Sequence, residues 1–136
     1  MSKFARDKGK RGELEVRKMI EKYTGVTLRR RGSEQSENGG YDLQVDLETC
    51  PPDLLHIAKI LDTLAIEVKN TADGYQPAYM KQCQDQAAKY SRTGVLLYKI
   101  PLKGFRVAMH ARDLIRIMDP DDDKDYGEAE VLHMLP

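Results

Sequence analysis

The sequence predicts an α/β (α+β mixed) fold, a central mixed β-sheet flanked by helices. Three observations predict it. Residues 41–48, Tyr-Asp-Leu-Gln-Val-Asp-Leu-Glu, alternate apolar and polar side chains with the period of a half-buried strand. Residues 64–70 are a short β-type run and 95–100 a continuous apolar run, both of strand length. Segments 7–23 and 76–91 instead repeat their apolar residues at helical spacing.

On a helical wheel of residues 7–23, Val16, Met19, Ile20 and Tyr23 gather on one face, with Gly9 and Gly12 on the same side. At the usual advance per residue, Glu13 lies roughly 70° from the centre of that face and borders the core. Glu15 borders the other edge, and Leu14 lies opposite. Glu13 either pairs with Arg17 one turn on, which the helix alone favours, or reaches inward into a site. Gly25 suits a C-cap. Residues 26–31 then make a short strand with a basic end.

Residues 32–40 form a polar, glycine-bearing loop. Following three arginines, it suits contact with a phosphate backbone, or is an ordinary surface loop. In the strand 41–48, Leu43, Val45 and Leu47 face the core, while Asp42, Gln44, Asp46 and Glu48 share the other face. Cys50-Pro51-Pro52 breaks it. Residues 53–62 read as a short helix starting at the prolines, with a strand as the alternative.

In 64–70, Leu64, Ile66 and Val68 pack on one side, and Glu67 and Lys69 point to the other. Thr71-Ala72-Asp73-Gly74 is a turn. Helix 76–91 has an apolar face of Tyr79, Cys83, Ala87 and Tyr90, with Gln82 and Gln86 at its flank. Strands 95–100 and 105–110 and a last helix 111–118 complete, apart from the short segment 53–62, the order α, β, β, β, α, β, β, α. Residues 1–118 read as one domain and 119–136 as an acidic tail.

Composition narrows the class. At 136 residues, 40% hydrophobic and 32% charged, the chain reads as soluble and globular. No apolar run approaches the ~20 residues of a membrane span, and the charged first residues are no secretory signal. Cys50 and Cys83 lie far apart, as free thiols of a reducing cytoplasm do. Scattered His56, His110 and His133 do not suit zinc. A cytoplasmic protein without membrane partner or organic cofactor is expected.

The net charge of zero hides an asymmetry. Residues 1–31 carry eleven Lys and Arg against four acids, whereas 119–130 carry seven acids and one lysine. The basic first quarter suits a polyanion partner or is a solvated helix. The acidic tail lacks the glycine and terminal glutamate of a calcium loop.

Phosphodiester hydrolysis needs a cation to polarise the phosphate, and groups that handle protons and transition-state charge. Magnesium prefers a few carboxylates plus waters. Asp42 and Glu67 lie on strands that can be neighbours, Lys69 shares the Glu67 face, and Glu13 can add a third acid. An ordinary solvated strand face would also accept Glu67 and Lys69.

Four fragments in order carry a resemblance. They are Lys8-Gly9-Lys10-Arg11-Gly12-Glu13; Arg30-Arg31-Gly32-Ser33 with Gly39-Gly40-Tyr41-Asp42; Ile66-Glu67-Val68-Lys69; and Lys81-Gln82. Together they resemble the PD-(D/E)XK nuclease superfamily, and more narrowly archaeal-type Holliday-junction resolvases and related small phage nucleases, over about residues 8–110. The resemblance implies a restriction-endonuclease-like fold and a Mg²⁺-dependent DNA endonuclease, with Mn²⁺ as a substitute. Glu13, Asp42 and Glu67 would hold the metal. Lys69 would orient the nucleophile or stabilise charge, and Gln82 would support it. Lys8, Lys10, Arg11, Arg30 and Arg31 would hold DNA phosphates.

A resolvase of this kind works as a homodimer, because a four-way junction presents two symmetric strands. Residues 95–100 or the last helix would supply its surface. Two departures stand out. Tyr41 replaces the family's proline before the aspartate, and the gap from Asp42 to Glu67 is long, which leaves Asp53 after Pro52 as a rival to Asp42. Gln82 also lies farther than Gln86 from the apolar centre of its helix. The alternatives are a phage or restriction-type nuclease without junction selectivity, or a DNA-binding module that does not cut.

Overall fold

The computed structural model describes residues 2–31 and 41–119; the loop 32–40 and the tail 120–136 lie outside the described residues. Helix α1 spans Lys3–Thr24. It starts earlier than its apolar periodicity, because the Ser2 side chain caps it by accepting the Ala5 N–H at 3.1 Å. Gly25, at φ +81°, ends it and donates to the Glu21 carbonyl at 2.8 Å.

The buried face of α1 differs from the wheel's expectation. Gly12, Glu13 and Val16 are buried with Ile20 packed behind them, while Met19 and Tyr23 stay exposed. The helix is closest to the sheet at Gly12. A Cβ there would meet the Asn70 Cβ at 2.7 Å, so the helix lies against the end of the central strand as only glycine permits.

Five strands form one sheet in the order β1 (Leu28–Arg30), β2 (Leu43–Val45), β3 (Leu64–Lys69), β4 (Thr93–Ile100) and β5 (Gly104–Ala108). Neighbours are antiparallel except β3 and β4, which run parallel. Such a pair needs a crossover, which helix α3 (Pro77–Lys89) supplies. A 3₁₀ turn at Pro52–Leu54 leads into helix α2 (Leu55–Asp62), so the helical alternative holds for 53–62. Helix α4 (Ala111–Met118) comes last, with His110 at its N-cap position instead of in β5.

Two apolar layers enclose the sheet. On one side Val16 and Ala58 pack with Leu28, Leu43, Val45, Ile66, Val68 and Leu97. On the other, Tyr41, Ala65 and Ala87 form a smaller cluster with Tyr90. The second layer means that β3 is buried on both faces from Ala65 to Val68. The Glu67 face is therefore no solvated strand face. Strand β2 is shorter than 41–48 because the Asp46 side chain accepts the Glu48 N–H at 3.1 Å, turning the chain off the ladder and leaving Leu47 exposed.

Val95, Leu96 and Leu97 are buried within the monomer. Of the two apolar surfaces the sequence offered a partner, the last helix keeps exposed side chains, Leu114 and Met118.

Candidate active site

Asp42 immediately precedes β2, whose first residue, Leu43, pairs with Ile66. Its N–H donates to the Ile66 carbonyl at 2.8 Å, and its Oδ2 accepts the Val68 N–H at 2.7 Å. The Arg31 N–H donates to the Asp42 carbonyl at 3.0 Å. As the strand pair opens, the carboxylate satisfies a β3 amide that the ladder no longer covers. This clamp leaves Asp42 3% exposed beside Glu67, which is 4% exposed. Asp53 is exposed in the 3₁₀ turn.

Glu67 bears the strain of this proximity. Burial first, and then the Asp42 charge, push its pKa from 4.5 up to about 8, with Glu13 adding to the rise and Lys69 opposing it. The Lys69 ammonium stands 3.7 Å from Glu67 Oε1 and 5.2 Å from the centre of the Tyr79 ring. The Tyr79 hydroxyl is in turn held 3.0 Å from Asp73 Oδ1. Beneath the acids, burial and the charges of Glu67 and Asp42 push the Cys83 thiol up to about 12. Cys83 is thus a packing residue with an inert thiol.

Glu13 does not make the expected helical pair. Arg17 Nε donates to the Leu28 carbonyl at 3.0 Å, and Glu13 forms its ion pair with Arg30 on β1. Glu13 is buried, and a buried carboxylate requires a cation, here from the neighbouring strand. Arg30 is thereby turned toward the acids. The Arg31 guanidinium lies 4.2 Å from the Tyr41 ring and 4.8 Å from the Tyr90 ring, with Nη1 3.4 Å from the Tyr41 carbonyl.

Lys10 and Arg11 are exposed on α1, and Lys8 is half-buried. Gln82 is exposed on α3, and Gln86 is half-buried. Tyr79, beside Lys69, read only as an apolar helix position in the sequence. The Arg30–Glu13 pair joins residues in different elements and has no local sequence signal.

Among the described residues, no three His, Cys, Asp or Glu side chains stand close enough to enclose a metal ion together. The donor set nevertheless fits a hard divalent cation. Asp42 and Glu67 offer oxygen ligands side by side, and a bound cation would take the place of the proton that burial and the Asp42 charge hold on Glu67.

A five-stranded mixed sheet flanked by helices, with Asp42 and Glu67-Val68-Lys69 on adjacent strands, is a restriction-endonuclease-like α+β fold. This class comprises nucleases that in general use divalent metal ions. Over residues 4–132 the sequence matches the family described as "Phage putative PDDEXK endonuclease", and the chain belongs to that family. It is a nuclease in class. None of the curated proteins matches it. No described helix is long and apolar enough to cross a membrane.

Proposed function

We propose that this nuclease is a Mg²⁺-dependent DNA endonuclease that hydrolyses phosphodiester bonds beside Glu67, and that its substrate is a four-way junction cut by a homodimer. The observation that carries the reading is the clamp of Asp42 on the Val68 N–H, which fixes a second carboxylate against buried Glu67 with Lys69 alongside.

In this reading Asp42 and Glu67 hold the metal, and Glu13, restrained by Arg30, assists them. The bound ion supplies Lewis-acid polarisation of the phosphate. Lys69 donates to the attacking water or to the phosphate oxygen that gains charge, and the Tyr79 ring keeps its ammonium aimed there. Lys8, Lys10 and Arg11 hold the DNA backbone. Arg30 and Arg31 act indirectly, by neutralising Glu13 and bracing Tyr41. Gln82, on α3, supports Lys69. The exposed apolar residues of α4, Leu114 and Met118, support its assignment as the dimer surface.

The plain endonuclease description of the family favours a second reading, cleavage of phage or host duplex without junction selectivity. Incubating the protein with a synthetic four-way junction and with a linear duplex, in Mg²⁺ and in EDTA, separates the two. Paired symmetric nicks in the junction alone are expected. Cutting of both DNAs supports the second reading, and binding without cutting by folded protein overturns the enzyme.

A further inference from the structure

Around the end of the sheet from Glu67 lies a recess of about 270 Å³ lined by Lys8, Arg11, Asn70, Thr71, Lys99 and Pro101. It contains three cations and no carboxylate. Lys8 and Arg11 are three residues apart on α1 and so share a face. The close approach at Gly12 carries that face onto the end of β3. Asn70 fixes the junction by donating from Nδ2 to the Lys8 carbonyl at 2.9 Å, and its amide keeps a second N–H. Lys99 arrives from β4 and forms an ion pair with Glu15 at 2.8 Å, in which the Glu15 side chain is 49% exposed.

Clustered ammonium and guanidinium groups beside a neutral amide and hydroxyl match the oxygens of a phosphate. Asn70 and Thr71 directly continue the strand that carries Glu67 and Lys69. At about 3.3 Å per residue, Thr71 lies on the order of 13 Å along the chain from Glu67. The recess therefore addresses a different phosphate from the one beside Glu67.

We propose that this recess is a second phosphate subsite, which holds a DNA phosphate a nucleotide or two from the point of cleavage, and that Glu15 occupies Lys99 until DNA displaces it. The placement relative to cleavage and the DNA contacts of Lys8 and Arg11 rest on the function proposed above; what is added is their union with Lys99, Asn70 and Thr71 in one subsite. The phosphate is either an internal diester or a terminal monoester.

The test is fluorescence anisotropy with labelled duplex in EDTA, across a salt series, so that no cleavage is involved. Lys99→Gln is expected to weaken binding roughly tenfold and to reduce the slope of log affinity against log salt by about one. Glu15→Gln is expected to tighten binding a fewfold, and the double variant to match Lys99→Gln. If the Lys99 effect requires a 5′-phosphate on the duplex, the ligand is a terminal monoester; if it persists with 5′-hydroxyl ends, it is an internal diester.

Single methylphosphonates stepped along the strand repeat the measurement on wild-type protein, whatever the variants do to folding. A position whose neutralisation weakens wild-type binding but not Lys99→Gln binding marks the bound phosphate. Unchanged affinity and slope in folded Lys99→Gln, no such position, or no DNA binding by the wild type would each overturn the subsite. Failure of cleavage in Mg²⁺ with these binding effects intact would remove the nuclease reading alone.

Discussion

Glutamine in place of Glu67 separates the cost of burying this carboxylate from the work it does. With its pKa at about 8 against 4.5 in the unfolded chain, native Glu67 keeps a proton that the unfolded chain has released. Such a group costs nothing below 4.5, and stability falls as the pH rises from 4.5 to about 8. At 1.36 kcal/mol per pH unit, the whole interval is worth roughly 5 kcal/mol. Between about 1 and 2 kcal/mol of it is already spent at pH 5.5.

The amide cannot ionise. Relative to Glu67→Gln, metal-free wild-type protein is therefore expected to lose on the order of 3 kcal/mol between about pH 5.5 and pH 9. For a chain of this length that is roughly 10 °C in melting temperature. Thermal melts of both proteins in EDTA at the two pH values measure it. Added Mg²⁺ should raise the wild-type melting temperature at the higher pH by binding the native state, and leave Glu67→Gln unmoved. A melting difference between the two proteins that is the same at both pH values would refute the reasoning.

Two further substitutions probe the same region. Asp42→Asn should lower the cleavage rate at least about a hundredfold while Asp53→Asn leaves it unchanged; gel assays in which the Asp53 variant is the inactive one would move the metal to the 3₁₀ turn. Gly12→Ala gains about 1 kcal/mol of helix propensity, but its Cβ overlaps Asn70 at 2.7 Å. A net loss of about 1–3 kcal/mol is expected in urea unfolding, and a more stable variant would show that α1 does not lie so close to β3.

Much of the fold was legible because it is written in local periodicity. The alternation of 41–48 set Leu43 and Val45 inward and Asp42 opposite, and both are so in the structure. The prolines at Pro51 and Pro52 and the glycine at Gly25 marked helix ends through their own backbone restrictions. What failed was the rotation of α1. Met19 and Tyr23 satisfy the wheel at least as well as Glu13 does, yet they stay exposed while Glu13 is buried against Arg30 of β1, a neighbour that helical periodicity does not report.

By itself the sequence determined which residues were available and which shared a strand face: Glu67 with Lys69, and Asp42 with the polar side of its strand. It could not determine that this face is covered, because the covering layer comes from Tyr41, Ala87 and Tyr90, which lie far along the chain on either side of it. Nor could it show that Asp42 is buried and clamped while Asp53 stays exposed, or pair Glu13 with Arg30 instead of Arg17. Those outcomes depend on desolvation. A carboxylate removed from water must find a donor or a cation from whichever element the fold brings beside it, and spacing along the chain does not report that neighbour.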